Sequence, residues 1–436
     1  MFKAGKKRVV IVGGGFAGLN CAQRLASHKD FAITLVDRNN YQQFQPLLYQ
    51  VATGMLSSDN AAFNLRSVLA NHDNVDVVLT DIASVDLTTR TALAATGDKF
   101  EGDYLVLAAG AEPNFFGIPG VEEHALPLYS LLDAERLRSH LLAVLEAADR
   151  EGSKRSEALR FIVIGGGPTG VEIAGAIGDV LKRTPSQLFK HINLKSASIT
   201  LIDMAKTVLV PFSKHSQEYT SEMLLQRDVQ LLLGASVKEV SQTGVTLADG
   251  TQIAGDLVVW AGGLKASKVS GALGIKTGSG GRVDVQPNLS VAGYPGVYAL
   301  GDFANTMASA GEMLPQLASV AQQAGRHCAN NIVADAKGQE GRPFEYLDKG
   351  IMAMIGRNAA VAEVGSGHHT ITGPIAFAAW LGVHAFLLTT VRAKVETFLE
   401  WAWEYFGHVH VDATLDRPQV DWSNGMSAPR SESTRR

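Results

Sequence analysis

Cysteine is nearly missing from this chain. There are 2 in 436 residues, Cys21 and Cys328, far apart and in no Cys-x-x-Cys or metal-ligand spacing. That argues against a redox-active disulfide and against a zinc site, so no bound metal is expected, and it favours a reducing compartment. Charge is also sparse: charged residues are 19% and the formal net charge is −4. Beyond the first eight residues and the Arg435-Arg436 end there is no dense Lys/Arg block, which argues against nucleic acid as a partner. Long apolar runs are absent too. Val9–Val12, behind Lys3, Lys6, Lys7 and Arg8, is far too short for a signal-peptide core, so the protein is expected to stay in the cytoplasm. The longest charge-free segment is Thr370–Val391, and its solidly apolar part, Ile375–Leu388, has 14 residues. As helix that is ~21 Å, and crossing a bilayer takes ~20 residues. It does not span.

What is present is a folded composition, 46% hydrophobic, in a chain long enough for two or three domains. An internal repeat organises it. Arg8–Val12 leads into Gly13-Gly-Gly-Phe-Ala-Gly18, and Phe161–Ile164 leads into Gly165-Gly-Gly-Pro-Thr-Gly170. Each short β-branched run predicts a buried parallel strand, and each glycine cluster opens a helical pattern, over Leu19–Ala26 and Val171–Leu181. A second strand follows in both copies, Ala32–Asp37 and Ser198–Asp203, each ending on aspartate.

This is the dinucleotide-binding βαβ unit, present twice. The first glycine allows a tight turn, and the second lets the backbone approach a pyrophosphate. The third permits close helix–strand packing, while the helix N-terminus offers N–H groups to phosphate. The terminal carboxylate can accept hydrogen bonds from a ribose. Asp203 follows Gly170 by 33 residues, against 19 between Gly18 and Asp37, and the polar excess around Arg183–Lys195 reads as a surface excursion. The repeat continues in Tyr104–Gly110 and Asp256–Gly262, strands that return to the nucleotide edge and turn on glycine. Val297–Asp302 adds one more strand, ending in Gly-Asp. Two such sites in one chain most often take a flavin and a nicotinamide nucleotide.

The stretches FQPLLYQVATG from Phe44, GGGPTGVE from Gly165 and VYALGDFA from Val297 sharpen this reading. So do LPQLASVAQQAG from Leu314, DKGIMAMIGRNAAVAEVG from Asp348 and AWLGVHAFLL from Ala379. With them, from Arg8 to about Phe406, the chain resembles the type II NADH dehydrogenases, single-subunit NADH:quinone oxidoreductases that pump no protons. The resemblance implies two doubly wound Rossmann-like α/β domains and a C-terminal helical region touching the membrane. The expected division is 1–120 and 271–345 for FAD, 121–270 for NADH, 346–422 for quinone and membrane contact, and a disordered tail over 423–436.

The resemblance also implies FAD on Gly13, Gly15, Phe16, Ala17 and Gly18, with Asp37 and Arg38 at the adenosine ribose and Ala109, Gly110 and Leu317 lining the site. Asp302 would reach the ribityl–pyrophosphate region and Gln316 the pyrimidine edge of the ring. Gln45, Pro46 and Leu47 would form an uncharged, stiff wall beside the isoalloxazine, where an unpaired fixed charge would be costly to bury. NADH would lie on Gly165, Gly167, Pro168, Thr169, Gly170 and Gly262. Asp203 would repel the 2′-phosphate of NADPH, although Lys206 lies near.

Glu172, on the first turn of its helix, complements the helix dipole by ~0.3–1 kcal/mol in the plain reading. The resemblance places it beside nicotinamide and flavin, near a proton path to quinone. Gln323 would contact the quinone, in a helix where Ser319 replaces the glutamine many members carry. The implied reaction is hydride transfer from NADH to FAD followed by two-electron reduction of a membrane quinone.

From Val391 to Phe406 apolar residues fall at 391, 395, 398, 399, 402, 405 and 406, a helical stripe, with Glu396, Glu400 and Glu404 opposite. Membrane-surface contact is expected from Phe398, Trp401, Trp403, Tyr405 and Phe406, or the helix packs on the flavin domain or on a second copy in a homodimer. The expected location is peripheral, on the cytoplasmic side of the inner membrane. The rival readings are an NADH reductase for a protein electron acceptor and an NADH-sensing regulatory flavoprotein. Disulfide-reductase and sulfide:quinone chemistry would need cysteines near the flavin, and neither Cys21 nor Cys328 is expected to have a redox partner.

Overall fold

The computed structural model describes residues 5–152, 157–308, 311–365 and 367–406. The tail expected over 423–436 lies outside them. Two compact units divide the chain. Unit 1 comprises Met1–Gln43, Ala62–Glu112 and Leu264–Asp348; unit 2 comprises Phe44–Ala61, Pro113–Gly263 and Lys349–Arg436. The segment from Phe44 therefore groups with the second glycine cluster, not the first, and the C-terminal region groups with it as well.

Unit 1 is built on a five-stranded parallel sheet in the order Val297–Ala299, Tyr104–Leu107, Lys7–Val12, Phe31–Asp37, Val75–Leu79. Its central strands are covered on both faces, which is why they read as continuous apolar runs. Val10, Val12, Val36, Leu105, Leu107, Val297 and Phe303 share one buried core. The helix Phe16–Ala26 follows the first strand, and the helix Ala318–Asp335 packs along it. Gly325 makes that approach possible, since a Cβ there would run into the Ala17 carbonyl.

Unit 2 repeats the design with the order Leu126–Pro127, Leu257–Trp260, Arg160–Ile164, Ser198–Asp203, Val229–Leu233, all parallel. The helix Pro168–Arg183 follows its central strand. A three-stranded antiparallel sheet, Gly350–Gly356, Ala359–Val364 and His369–Thr372, lies against that helix. Gly175 is required at the contact, because the Ile355 carbonyl occupies the place of its Cβ. Two helices close the described chain, Gly373–Leu387 and Val391–Phe406. Arg183 and Arg357 donate to the carbonyls of Glu404 and Tyr405, supplying partners to two acceptors near the end of the described helix.

Candidate functional site

The two glycine cradles match in detail. Gly13 has φ +105° and Gly165 φ +112°, and each donates its amide to the end of the neighbouring strand, at Val36 and Ile202. A Cβ on either would strike a carbonyl, that of Ala108 or Ala261. Gly18 and Gly170 lie against the carbonyls of Gly13 and Gly165. Gly15 and Gly167 differ. They cap their helices with no side-chain hydrogen bond, and nothing lies within 4 Å of where a Cβ would stand. Each cradle thus presents open space at an uncapped helix N-terminus, the arrangement that receives a pyrophosphate.

The middle glycines carry a role the sequence reading missed. Gly14 donates to Asp37 Oδ2 at 2.6 Å, and Asn39 donates to Oδ1 at 2.6 Å. Gly166 donates to Asp203 Oδ2, and Ala205 donates to Oδ1 at 2.6 Å. In both units the aspartate is aimed by its own glycine loop. The run of three glycines, where the motif asks for two, was the available signal. Burial raises the Asp37 pKa despite the two amide donors.

Around the first cradle, Gly301 lies against Ala17 and Ala321, so the helix N-terminus, the Gly301–Phe303 turn carrying Asp302 and the helix starting at Ala318 converge. Phe16 and Ala17 are buried, Arg38 is exposed, and Ala109 and Gly110 lie half-buried at the end of the returning strand. Gln316 Nε2 donates to the Asp302 carbonyl at 3.5 Å, and Leu317 caps the next helix. Gln323 has both carboxamide atoms committed. Its Nε2 donates to the Leu347 carbonyl and its Oε1 accepts from the Leu347 amide, each at 3.0 Å. Ser319 is hydrogen-bonded with Tyr346 at 2.9 Å.

In unit 2, Pro168 and Thr169 are exposed at the helix start, and Gly262 lies against the Trp260 ring. Glu172 is one of the site's electrostatic features. Its Oε1 accepts from the Met354 amide at 3.3 Å. Part of its surface is accessible, yet protein atoms crowd the carboxyl, and desolvation lifts its pKa to about 8. The Gln45–Leu47 turn is 3-10 and Leu48–Ala52 is α-helical, where a stiff loop was expected. Leu47 is 0% exposed, facing inward from the turn. Gln45 Oε1 is buried without a hydrogen-bond partner among the described residues.

Behind that turn sits an aromatic cluster. Tyr49 meets Trp380 edge-on, Trp380 stacks on His384 at 3.8 Å, and Trp380 also meets Trp401. Burial pushes the Tyr49 hydroxyl well up, with Glu172 adding to it, and drives His384 down to about 4.

The last helix leaves most of its apolar stripe exposed and turns the opposite side inward. Ala393, Thr397, Trp401 and Glu404 are buried. Val391, Val395, Phe398, Leu399 and Trp403 are exposed, as are Ile375, Val383 and Phe386 on the preceding helix. Trp401 therefore contributes nothing to an outer apolar face. Tyr405 lies under Arg357, 4.4 Å from its guanidinium carbon, and hydrogen-bonds Asn358. The side chain of Phe406 lies outside the described residues. Among the described residues, no helix is long and apolar enough to cross a membrane.

Comparisons with known proteins agree with this geometry. Residues 7–325 match the pyridine nucleotide-disulphide oxidoreductase family. A type II NADH:quinone oxidoreductase of Mycobacterium tuberculosis, Ndh, is 37% identical over 412 residues, covering 91% of this chain and 87% of that protein. The chain belongs to the type II NADH:quinone oxidoreductases. A second one from the same organism, NdhA, is 35% identical over 92% of this chain and 88% of that protein. The structure of NDH2 from Plasmodium falciparum in complex with NADH superposes with a TM-score of 0.82, covering 93% of this chain and 99% of that one at 20% identity, a likeness of fold.

Despite the disulphide in its wider family's description, this type II oxidoreductase keeps two free cysteines, both buried. The packed helices place the Cys21 thiol beside that of Cys328. Desolvation and that contact push the Cys328 thiol well up, so it stays protonated and unreactive.

Proposed function

We propose that this protein oxidises NADH and reduces a membrane quinone, with FAD on unit 1 and NADH on unit 2. The duplicated cradle carries the reading: two uncapped helix N-termini with open space at Gly15 and Gly167. When bound, FAD supplies the two-electron carrier between the nucleotide and the quinone.

The chain's own residues bind, aim and hold protons. Gly13, Gly15 and the amides after them receive the flavin pyrophosphate. Asp37 and Asp203 each have one backbone amide on each oxygen, which leaves lone pairs for a ribose hydroxyl. Asp203 also disfavours a 2′-phosphate, so NADH is preferred over NADPH. Glu172 carries a proton on its carboxyl at neutral pH and loses it near pH 8. It is the group we assign to proton delivery when the quinone is reduced. Gln323 acts by holding the Leu347 backbone, a positioning role in place of direct head-group contact.

The exposed side chains of Ile375, Val383, Phe386, Val391, Val395, Phe398, Leu399 and Trp403 support peripheral attachment to lipid through the C-terminal helix pair. A second copy of the chain is the competing occupant of that face.

The deciding experiment measures oxidation of NADH and of NADPH by the FAD-loaded protein with a lipophilic quinone. Fast NADH oxidation with slow NADPH oxidation supports the reading. Flavin bleaching by NADH with no quinone turnover leaves the dehydrogenase half and removes the acceptor.

A further inference from the structure

Phe116 has φ +51° and is 61% exposed. Two other apolar side chains share positive φ among the described residues, Leu209 and Leu289, and both are 0% exposed, held by packing. Of the three, Phe116 alone combines backbone strain with an aromatic ring held out to solvent. Such strain persists only where the surroundings over-determine it. Here Asn114 does that. Its Oδ1 accepts from the Phe116 amide at 3.0 Å, its amide donates to the Gly263 carbonyl at 3.0 Å, and its carbonyl accepts from Trp260 Nε1 at 3.1 Å. The Phe116 ring tilts against Trp260 with centroids 6.4 Å apart, and Gly263 lies beneath it, where a Cβ would stand 3.2 Å from Cζ. Glycine would take this backbone without strain, so the ring is retained at a cost to the fold.

Its place in the sheet says what the ring is for. Strand Arg160–Ile164, which ends in the second cradle, has Ser198–Asp203 on one side and Leu257–Trp260 on the other. Asp203, the ribose carboxylate, marks the adenosine side. A pyrophosphate over Gly167 must then send the other half of the dinucleotide across Leu257–Trp260. That strand continues as Ala261, whose carbonyl abuts Gly165, and then Gly262 and Gly263. Phe116 stands on that edge.

We propose that Phe116 packs against the nicotinamide ring of NADH and fixes its position at the edge of unit 2. The proposal rests on the second cradle holding the nucleotide. It is tested on the full FAD-loaded chain by calorimetric titration with NAD⁺ and with ADP-ribose, which lacks the nicotinamide. Phe116→Gly is the informative variant, since it relieves the strained φ and its melting temperature should equal or exceed that of the parent. The expected result is NAD⁺ binding weakened roughly tenfold, the loss of one aromatic stacking contact, with ADP-ribose binding unchanged and Phe116→Tyr close to the parent. Unchanged NAD⁺ binding overturns the proposal, and so does equal weakening of both ligands. Gly167→Asp separates the underlying reading, because its extended backbone and open surroundings accept the side chain while the carboxylate blocks a phosphate. If it abolishes both ligands while Phe116→Gly changes neither, only the ring assignment falls. If it leaves both intact, the second cradle is not the nucleotide site and the proposal falls with it.

Discussion

Trp401 and Gln50, 351 positions apart, share a buried hydrogen bond of 2.7 Å from the indole Nε1 to the carboxamide Oε1. Gln50 Nε2 in turn donates to the Tyr49 hydroxyl at 2.8 Å. Trp401→Phe strands a buried acceptor and should lower unfolding stability by about 1–3 kcal/mol, read by chemical denaturation. Adding Gln50→Leu should recover part of the loss, and a purely additive double variant would dismiss the coupling.

Glu172 sets a pH dependence with a definite sign. Its folded pKa is about 8 against the ordinary 4.5, so between those values the native state binds the extra proton. Its contribution is full below 4.5, falls as pH rises through the window, and levels off above 8. Glu172→Gln keeps the neutral form. Its melting temperature should match the parent near pH 4.5 and exceed it at pH 8.5, by at most about 1.4 kcal/mol in stability for each pH step of that window. An equal difference at both pH values would contradict the raised pKa. Activity should also fall in the variant at neutral pH if the carboxyl delivers protons.

Gly15 sits at φ −71°, ψ −163°, backbone any residue adopts, with open space beside it. Gly15→Asp should fold at least as well as the parent, because aspartate is a favoured N-cap, worth roughly a few tenths of a kcal/mol over glycine. It should purify without flavin absorbance. A yellow Gly15→Asp protein would remove FAD from the first cradle.

The outer apolar face is testable apart from the fold. Phe386, Phe398 and Trp403 are 76%, 63% and 66% exposed. Replacing all three with serine should leave the melting temperature within about 2 °C of the parent, since exposed substitutions stay within about 0.5 kcal/mol each. Sedimentation with lipid vesicles should be lost. If the variant still sediments with vesicles but light scattering shows a dimer turned monomer, the face belongs to a second copy.

Both thiols are shielded. Cys21 and Cys328 should react with an aromatic disulfide reagent only as fast as the protein opens, and at full rate in denaturant. Prompt labelling of the native protein would refute the buried pair.

Much of the site was legible because its demands are local. A tight turn, a backbone that must approach phosphate and a helix that must pack on a strand each require glycine at one position, and two copies left little room for chance. Asp37 and Asp203 were readable as strand-end carboxylates, but not that Gly14 and Gly166 aim them. The segment from Phe44 was recognisable by its lack of charge, yet its helical turns and the inward-facing Leu47 were not.

By itself the sequence determined the repeated parallel units, the two cradles and their aspartates, because strand burial and glycine's steric freedom are properties of short segments. Only the tertiary structure decided which face of the helix Val391–Phe406 turns inward. Periodicity shows that a helix has two faces, but the partner surface chooses between them. Here Gln50 and the Trp380 cluster took the face carrying Trp401, leaving Phe398 and Trp403 outside. The Cys21–Cys328 contact and the strained Phe116 ring have the same origin, in distances between residues that no spacing along the chain contains.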